Sequence, residues 1–318
     1  MRRSGGENGA IRFAIAPYGT KPMDRTIGII GLGMMGGAFA RHLAAGGWKV
    51  VGFDVDAARA GEAREAGVEI AAGAASVAEA ASEIVTSLPT PGAALEVART
   101  IAGAKAKGRI VAEASTLALE DKLAFQRILA EAGHTALDCP VSGTGAQAAV
   151  KDLVVFASGD PAAVARVTPA LAGFSRKVWD LGPYGNGSKM KFVANHLVAI
   201  HNVAAAEALV LAMKAGLDPH KVVEVVGSGA GTSRMLEIRG PMMAQMRYVP
   251  ATVRSTIWKK DVAVIGEFAA DLACPTPLFD LSASLYRAAL AMGYGDADTA
   301  AVCAVLERMA GIERGKQE

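Results

Sequence analysis

The sequence is poor in cysteine, in aromatic side chains and in net charge. Its 33 basic and 31 acidic residues leave a net charge of +2, which is too small to favour nucleic acid or an anionic membrane as the main partner. The three cysteines, Cys139, Cys274 and Cys303, show neither paired nor metal-knuckle spacing. We therefore expect reduced thiols in a cytoplasmic protein and no metal site. Intrinsic disorder is excluded, because 52% of the residues are apolar and the mean hydropathy is +0.29.

The sequence also lacks a long apolar run that is free of polar residues. The most apolar window, residues 192–213, is long enough to span a membrane, but it contains Asn195, His196, His201, Asn202 and Glu207. These polar groups are costly in lipid, so the window predicts a buried helix of a soluble protein. The apolar patch within residues 1–20 is too short for a secretory signal, and residues 1–24 are predicted to be a flexible extension.

Short apolar runs alternate with alanine-rich helical stretches over residues 26–181. This alternation predicts a doubly wound, largely parallel sheet with helices on both faces. The predicted strands are Thr26–Ile30, Lys49–Phe53, Glu83–Leu88, Arg109–Ala112, Thr135–Asp138, Leu153–Ala157 and Lys177–Leu181. After Gly187 only helical signals follow, beginning with a long helix over residues 188–215. We therefore predict an α/β domain over residues 25–184 and an all-α domain for substrate binding and oligomerisation over residues 185–318.

A glycine-rich turn follows the first predicted strand. Residues 31–36 read GLGMMG and lead directly into a predicted helix. Gly31 permits a tight turn, Gly33 lets a pyrophosphate approach the backbone, and Gly36 lets the helix pack closely on the strand. The free N–H groups at the start of the helix suit phosphates. Asp54 ends the second strand, 21 residues after Gly33, where a carboxylate can accept hydrogen bonds from the adenosine ribose.

These features predict a Rossmann-type domain that binds NAD. The carboxylate of Asp54 would repel a 2′-phosphate, so NAD is favoured, and NADP is the alternative because Arg59 is close enough in sequence to assist a phosphate. A glycine-rich turn that binds no cofactor is the less favoured interpretation, since a predicted strand precedes the turn and a predicted helix follows it.

Four segments together resemble the motifs of the 3-hydroxyacid (β-hydroxyacid) dehydrogenase family. Residues 30–43, IGLGMMGGAFARHL, resemble GLGxMGxxxAxxL, and residues 138–143, DCPVSG, resemble DAPVSG. Residues 182–191, GPYGNGSKMK, resemble GxxGxGxxxK, with Asn195 at the expected place. The pair Lys260-Asp261 resembles the late KDL element of the family. The resemblance covers about residues 25–310. Within the family, the sequence is similar to 3-hydroxyisobutyrate dehydrogenases and to threonate dehydrogenases.

The resemblance implies an NAD(P)-dependent dehydrogenase that oxidises a short 3-hydroxy acid or reduces the matching semialdehyde. Lys191 would act as the general acid/base, and Asn195, one turn later on the same helix face, would orient the reacting oxygen or the lysine. Ser142 and the backbone N–H groups of Gly143 and Thr144 would bind the substrate carboxylate, and Lys260 would approach the nicotinamide and the substrate from the far side of the cleft. The residues expected to bind the cofactor are Gly31, Leu32, Gly33, Met34, Met35, Gly36, Asp54, Leu88, Pro89, Thr116 and Lys260.

Three positions near the expected substrate site depart from the family pattern. Thr144, Gln147 and Lys151 occupy positions that are commonly glycine, so their side chains would narrow the pocket or change its polarity. The substrate stays open between 3-hydroxyisobutyrate-like acids and sugar acids. The alternative functions are an imine reductase-like enzyme on the same fold and a non-catalytic NAD(P)-binding protein, and the presence of Lys191 argues against both.

The apolar residues of the helical half predict self-association, as a homodimer or a homotetramer. Asn202 lies near the helix face that carries Lys191, because eleven residues return to nearly the same angle. Arg234 and Arg239 are expected to be solvated helix charges rather than ligands of a second acidic group on the substrate.

Overall fold

The structure is a computed structural model that describes residues 25–314, so the predicted extension over residues 1–24 lies outside the described residues. Residues 25–314 contain nine strands: β1 (Thr26–Ile30), β2 (Lys49–Phe53), β3 (Glu69–Ile70), β4 (Glu83–Thr86), β5 (Ile110–Glu113), β6 (Thr135–Asp138), β7 (Val141–Ser142), β8 (Val154–Ala157) and β9 (Lys177–Asp180). The helices of the same half are α1 (Met34–Ala45), α2 (Ala57–Glu65), α3 (Ala74–Ala80), α4 (Pro91–Gly103), α5 (Leu119–Glu131), α6 (Gly145–Ala149) and α7 (Pro161–Phe174). The helical half comprises α8 (Asn186–Lys214), α9 (Pro219–Gly227), α10 (Arg234–Ala244), α11 (Ser255–Asp271), α12 (Pro277–Ala291), a 3-10 turn (Thr299–Ala301) and α13 (Val302–Met309).

Six parallel strands form the main sheet, in the order β3-β2-β1-β4-β5-β6. Alternate residues of β1 enter different cores, since Ile27 and Ile29 belong to one hydrophobic cluster and Ile30 to another. Both faces are therefore covered, as the apolar runs of a parallel sheet require. The predicted Rossmann-type doubly wound sheet is confirmed.

A second sheet of three strands, in the order β7-β8-β9, lies beside the main one. The sequence predicts strands at residues 153–157 and 177–181, close to β8 and β9, but it does not predict that they form a sheet separate from the main one. β7 pairs with β8 antiparallel, and β8 pairs with β9 parallel. β7 has only two residues, which is too short to show an alternating pattern in the sequence.

The helical half is built around α8. This helix begins after Gly185, whose φ of 92° ends the preceding turn, and α9, α10, α11, α12 and α13 all pack against it. By length and composition α8 is the candidate membrane span among the described residues. Phe192, Ala199 and Leu209 are buried apolar residues of α8 that belong to the core of the helical half, so α8 is the central helix of that half. The segment from β9 to α8 contains the predicted domain boundary after residue 184, which stays a prediction.

Candidate active site

The glycine-rich turn between β1 and α1 has no room for a side chain at Gly31 or at Gly36. Gly31 has a φ of 87°, and a Cβ there would lie 2.2 Å from the carbonyl oxygen of Ser87. A Cβ at Gly36 would lie 1.8 Å from the carbonyl oxygen of Gly31. Gly33 caps α1 without a side-chain hydrogen bond, so the first N–H groups of the helix remain available to an anion.

The carboxylate of Asp54 is held beside this turn by two backbone N–H groups. Leu32 donates to Oδ2 at 2.6 Å, and Asp56 donates to Oδ1 at 2.8 Å. Each carboxylate oxygen retains a lone pair for a further donor. The fixed acceptor, the glycine turn and the uncapped helix start fit the ribose and pyrophosphate of a dinucleotide.

A cleft of about 560 Å³ opens over the turn. Of the residues expected to bind the cofactor, seven line it: Gly31, Gly33, Met34, Met35, Asp54, Leu88 and Pro89. Leu32 and Gly36 are buried in the turn, and Thr116 and Lys260 lie outside the lining of the cleft. Arg59 also lines the cleft, with its guanidinium 3.2 Å from the position of a Cβ on Gly33.

Lys191 and Asn195 are buried on the same face of α8. Burial lowers the pKa of Lys191, nearby Asp261 raises it, and nearby Lys260 lowers it, with a net result of about 8. Asn195 Nδ2 donates to Asp261 Oδ2 at 3.1 Å. A lysine with such a pKa can exchange a proton near neutral pH.

Lys260 connects α11 to the loop after β5. Its Nζ lies 3.1 Å from Asp261 Oδ1 and donates to the backbone carbonyl of Thr116. Asp261 therefore contacts both Asn195 and Lys260. No sequence pattern assigns Asp261 this role, because its partner Asn195 is 66 residues away in sequence.

The segment expected to bind the substrate carboxylate follows β7. Gly143 has a φ of 137°, and Thr144 caps α6 in a capping box with Gln147. The N–H of Thr144 donates to Gln147 Oε1 at 3.0 Å, so this N–H already has a partner. To bind the substrate carboxylate, the Thr144 N–H would have to break its hydrogen bond to Gln147. Ser142 Oγ makes no side-chain hydrogen bond within residues 25–314.

A buried network of ion pairs, absent from the sequence-based predictions, lies at the start of α8. Lys122 is fully buried, contacts Glu113 and lies 3.0 Å from Asp138 Oδ1. Burial lowers the pKa of Lys122, but the two carboxylates outweigh burial and raise it, so the lysine stays charged. Asp138 also accepts hydrogen bonds from the backbone and hydroxyl of Ser188 in the first turn of α8, at 2.7 and 2.8 Å.

The network also reaches the cofactor side. Glu113 Oε1 accepts the N–H of Ser115 at 2.9 Å, and Ser115 Oγ accepts the N–H of Leu88 at 2.8 Å. One cluster of buried charges thus supports the start of α8 and two loops expected to contact the cofactor. Its sequence signal is the spacing of Lys122, Phe125 and Leu129, which forms one buried stripe of α5.

Several elements that carry expected site residues are in contact with one another. α8 packs against β7, which ends in Ser142. A Cβ at Gly145 would lie 2.3 Å from Met34 Sδ, so the substrate segment adjoins the glycine-rich turn. Lys260 reaches Thr116, whereas no direct contact joins Ser142 to Lys260 within residues 25–314.

Two further polar residues have other roles. Asn202 donates to Tyr286 and to the carbonyl of Thr299, both at 3.0 Å, so it is part of the core of the helical half. The prediction that Arg239 is solvated is wrong, because it is 3% exposed and its Nε lies 3.0 Å from Asp298. The helix turn that carries Arg239 faces the core rather than solvent. Arg234 is exposed, as expected.

Two family models match the chain. The model described as the NAD binding domain of 6-phosphogluconate dehydrogenase matches residues 26–182, and the model described as NAD-binding of NADP-dependent 3-hydroxyisobutyrate dehydrogenase matches residues 185–306. L-threonate dehydrogenase of Cupriavidus necator is 32% identical, over 93% of this chain and 100% of its own. The chain belongs to the 3-hydroxyacid dehydrogenase family. The predicted family and NAD-binding fold are therefore confirmed.

Two further family members resemble this dehydrogenase over nearly their whole length. The 2-(hydroxymethyl)glutarate dehydrogenase of Eubacterium barkeri is 28% identical, over 90% of this chain and 96% of its own. A structure of Mycobacterium tuberculosis 3-hydroxyisobutyrate dehydrogenase with L-serine has a TM-score of 0.82 at 27% identity, and covers 89% of this chain and 99% of that one. This dehydrogenase is an NAD(P)-dependent oxidoreductase of the hydroxyacid class.

Proposed function

We propose that this dehydrogenase oxidises a short 3-hydroxy acid with NAD, and that Lys191 is its general base. The observation that carries the proposal is the position of Lys191, which is buried on α8 with a pKa lowered to about 8. In the oxidative direction the neutral amine takes the proton of the substrate hydroxyl, while bound NAD supplies the acceptor of the hydride from the same carbon. The products are the carbonyl compound, NADH and a protonated lysine, which releases its proton to solvent.

The other side chains have roles that follow from their contacts. Asn195, held by Asp261, orients the reacting oxygen or the lysine. Ser142 Oγ and the Gly143 N–H bind the substrate carboxylate, and Lys260 adds positive charge on the opposite side. The preference for NAD over NADP is supported by Asp54, whose fixed carboxylate would lie close to a 2′-phosphate and repel it.

We further propose a cytoplasmic enzyme in which residues 25–184 bind the dinucleotide and residues 185–318 complete the substrate site and mediate self-association. Small substrate carbon skeletons are supported by the relatives named above, which act on threonate and on 2-(hydroxymethyl)glutarate.

The test is absorbance at 340 nm with NAD or NADP and a panel of hydroxy acids. The panel contains threonate, glycerate, 3-hydroxyisobutyrate, 3-hydroxypropionate and 4-hydroxybutyrate. We expect NADH formation with at least one 3-hydroxy acid and weaker turnover with 4-hydroxybutyrate, whose hydroxyl is one carbon further from the carboxylate. NAD binding without turnover on any acid would contradict the proposal and favour a non-catalytic NAD-binding protein.

A further inference from the structure

Gln147 is held in one orientation beside the segment expected to bind the substrate carboxylate. Its Nε2 donates to Asp152 Oδ2 at 2.9 Å and to the carbonyl of Asp152 at 3.4 Å. Both of these atoms are acceptors only, so the amide nitrogen must face Asp152 and Oε1 must face the opposite way. There Oε1 accepts the N–H of Thr144 at 3.0 Å.

Asp152 is itself fixed by charged neighbours. Its Oδ1 lies 2.8 Å from Arg176 Nε, and its Oδ2 lies 3.9 Å from Arg234 of α10. The hydrogen bond from Gln147 and the adjacent arginines lower the pKa of Asp152, so its carboxylate remains an acceptor at neutral pH. A reversed Gln147 amide would set its oxygen against this carboxylate and its nitrogen against the N–H of Thr144.

This arrangement changes which groups face a substrate. The Thr144 N–H is already used, and Ser142 Oγ and the Gly143 N–H remain as donors for a carboxylate. Gln147 Oε1 accepts one hydrogen bond and keeps a second lone pair. The side chain is only partly buried, and its Cβ lies 3.5 Å from the position of a Cβ on Gly143, so it borders the carboxylate segment.

We propose that Gln147 selects 3-hydroxy acids that carry a hydrogen-bond donor, a hydroxyl or an ammonium group, on C2. The inference rests on the proposed function, in which the carboxylate binds at Ser142 and Gly143 and the C3 hydroxyl faces Lys191. In that binding mode C2 is the carbon next to the carboxylate, and its substituent would face Gln147 Oε1. A C2 donor satisfies the free lone pair, whereas a C2 methyl group covers it without a partner, which is unfavourable.

The test compares kcat/KM for substrates with and without a C2 donor. Glycerate and threonate form the first group, and 3-hydroxypropionate and 3-hydroxyisobutyrate form the second. We expect the wild type to prefer the first group and Gln147→Met to reduce the ratio at least tenfold, with the KM for NAD unchanged. Gln126→Met is the matched control, because Gln126 is a half-buried glutamine on α5 without a side-chain hydrogen bond within residues 25–314.

Asp152→Asn provides a second variant that retains Gln147. The asparagine amide can donate as well as accept, which weakens the constraint on Gln147, while the carbonyl of residue 152 and the Thr144 N–H still favour the same orientation. The ratio should therefore fall, but less than in Gln147→Met. If the wild type oxidises both groups and Gln147→Met changes the two kcat/KM values by the same factor, this inference fails and the proposed function stands. If the wild type oxidises none of the four acids, the proposed function fails as well.

Discussion

At the scale of single residues, three effects set the pKa of Lys191: two lower it and one raises it. Burial lowers its pKa, the carboxylate of Asp261 raises it, and the ammonium of Lys260 lowers it, to about 8. An ordinary lysine has a pKa near 10.4 and is almost wholly charged at neutral pH. In the folded enzyme a substantial fraction of Lys191 is neutral near pH 8, which is the form that accepts a proton from an alcohol.

Asp261 and Lys260 should therefore shift the pH dependence in opposite directions. Asp261→Asn removes the carboxylate that raises the pKa of Lys191, so the inflection in kcat/KM for oxidation should move below pH 8. Lys260→Met removes a cation that lowers this pKa, so the inflection should move above pH 8. The measurement is kcat/KM for the best hydroxy acid between pH 6 and 10. An upward shift in Asp261→Asn would contradict this description of the site.

The residue scale is also where sequence patterns predict most of the candidate site. The spacing of Lys191 and Asn195 places them on one face of a helix. The distance of Asp54 from the glycine-rich turn predicts its role in binding the ribose. Asp261 and Gln147 could not be given roles in this way. The function of each depends on which atoms a distant or flexible side chain meets, and a spacing rule contains no such information.

At the scale of elements, the charged cluster of Glu113, Lys122 and Asp138 joins β5, β6 and α5 to the first turn of α8. Parallel strands β5 and β6 end at the same edge of the sheet, which brings the two carboxylates together. Two hydrogen bonds from Ser188 to Asp138 attach the first turn of α8, the helix that carries Lys191, to this cluster.

Removing the cation of this cluster should destabilise the fold strongly. Lys122→Met leaves two buried carboxylates without a counter-charge, so we expect a loss of about 3–5 kcal/mol in the free energy of unfolding. Arg166→Met is the control, because it removes a cation that is 54% exposed and lies 2.8 Å from Glu83, and its cost should be at most about 1 kcal/mol. Urea unfolding of both variants measures the difference. Equal losses would contradict a structural role for Lys122.

The elements themselves were largely predictable where patterns are long. The predicted bounds of β1, β2 and β6 are those of the structure, and α1 follows the glycine-rich turn as predicted. β7 and the separate three-stranded sheet could not be predicted from the sequence. Strand pairing depends on tertiary contacts, and a strand of two residues is too short to show a period. Arg239 was misassigned for a related reason, since its partner Asp298 lies 59 residues away.

At the scale of the whole molecule, α8 has a second, exposed face. Met190, Val193 and Leu197 are 42%, 55% and 47% exposed, and their spacing aligns them in one apolar stripe. An exposed apolar stripe on a central helix supports the proposed self-association.

Charges placed in this stripe should disrupt the assembly. We expect sedimentation to show a dimer or tetramer for the wild type and a smaller species for the double variant Val193→Glu, Leu197→Glu. Leu123→Glu is the control, because Leu123 is a 39% exposed leucine on α5 in the other half of the chain. A monomeric wild type would contradict the prediction of self-association, and an unchanged double variant would exclude this face as the interface.

The central claim is that Lys191 moves the proton during hydride transfer, and the pH dependence of kcat/KM in the wild type and in Lys191→Met tests it most directly. For oxidation the lysine must be neutral, so the wild-type value should rise with pH up to an inflection near 8 and then level off. For reduction it must be protonated, so the value should fall through the same pH. Lys191→Met should bind NAD normally and lose about 10²–10⁴-fold in turnover. A wild-type profile that is flat between pH 6 and 10, or a Lys191→Met variant with wild-type turnover, would show that another group moves the proton.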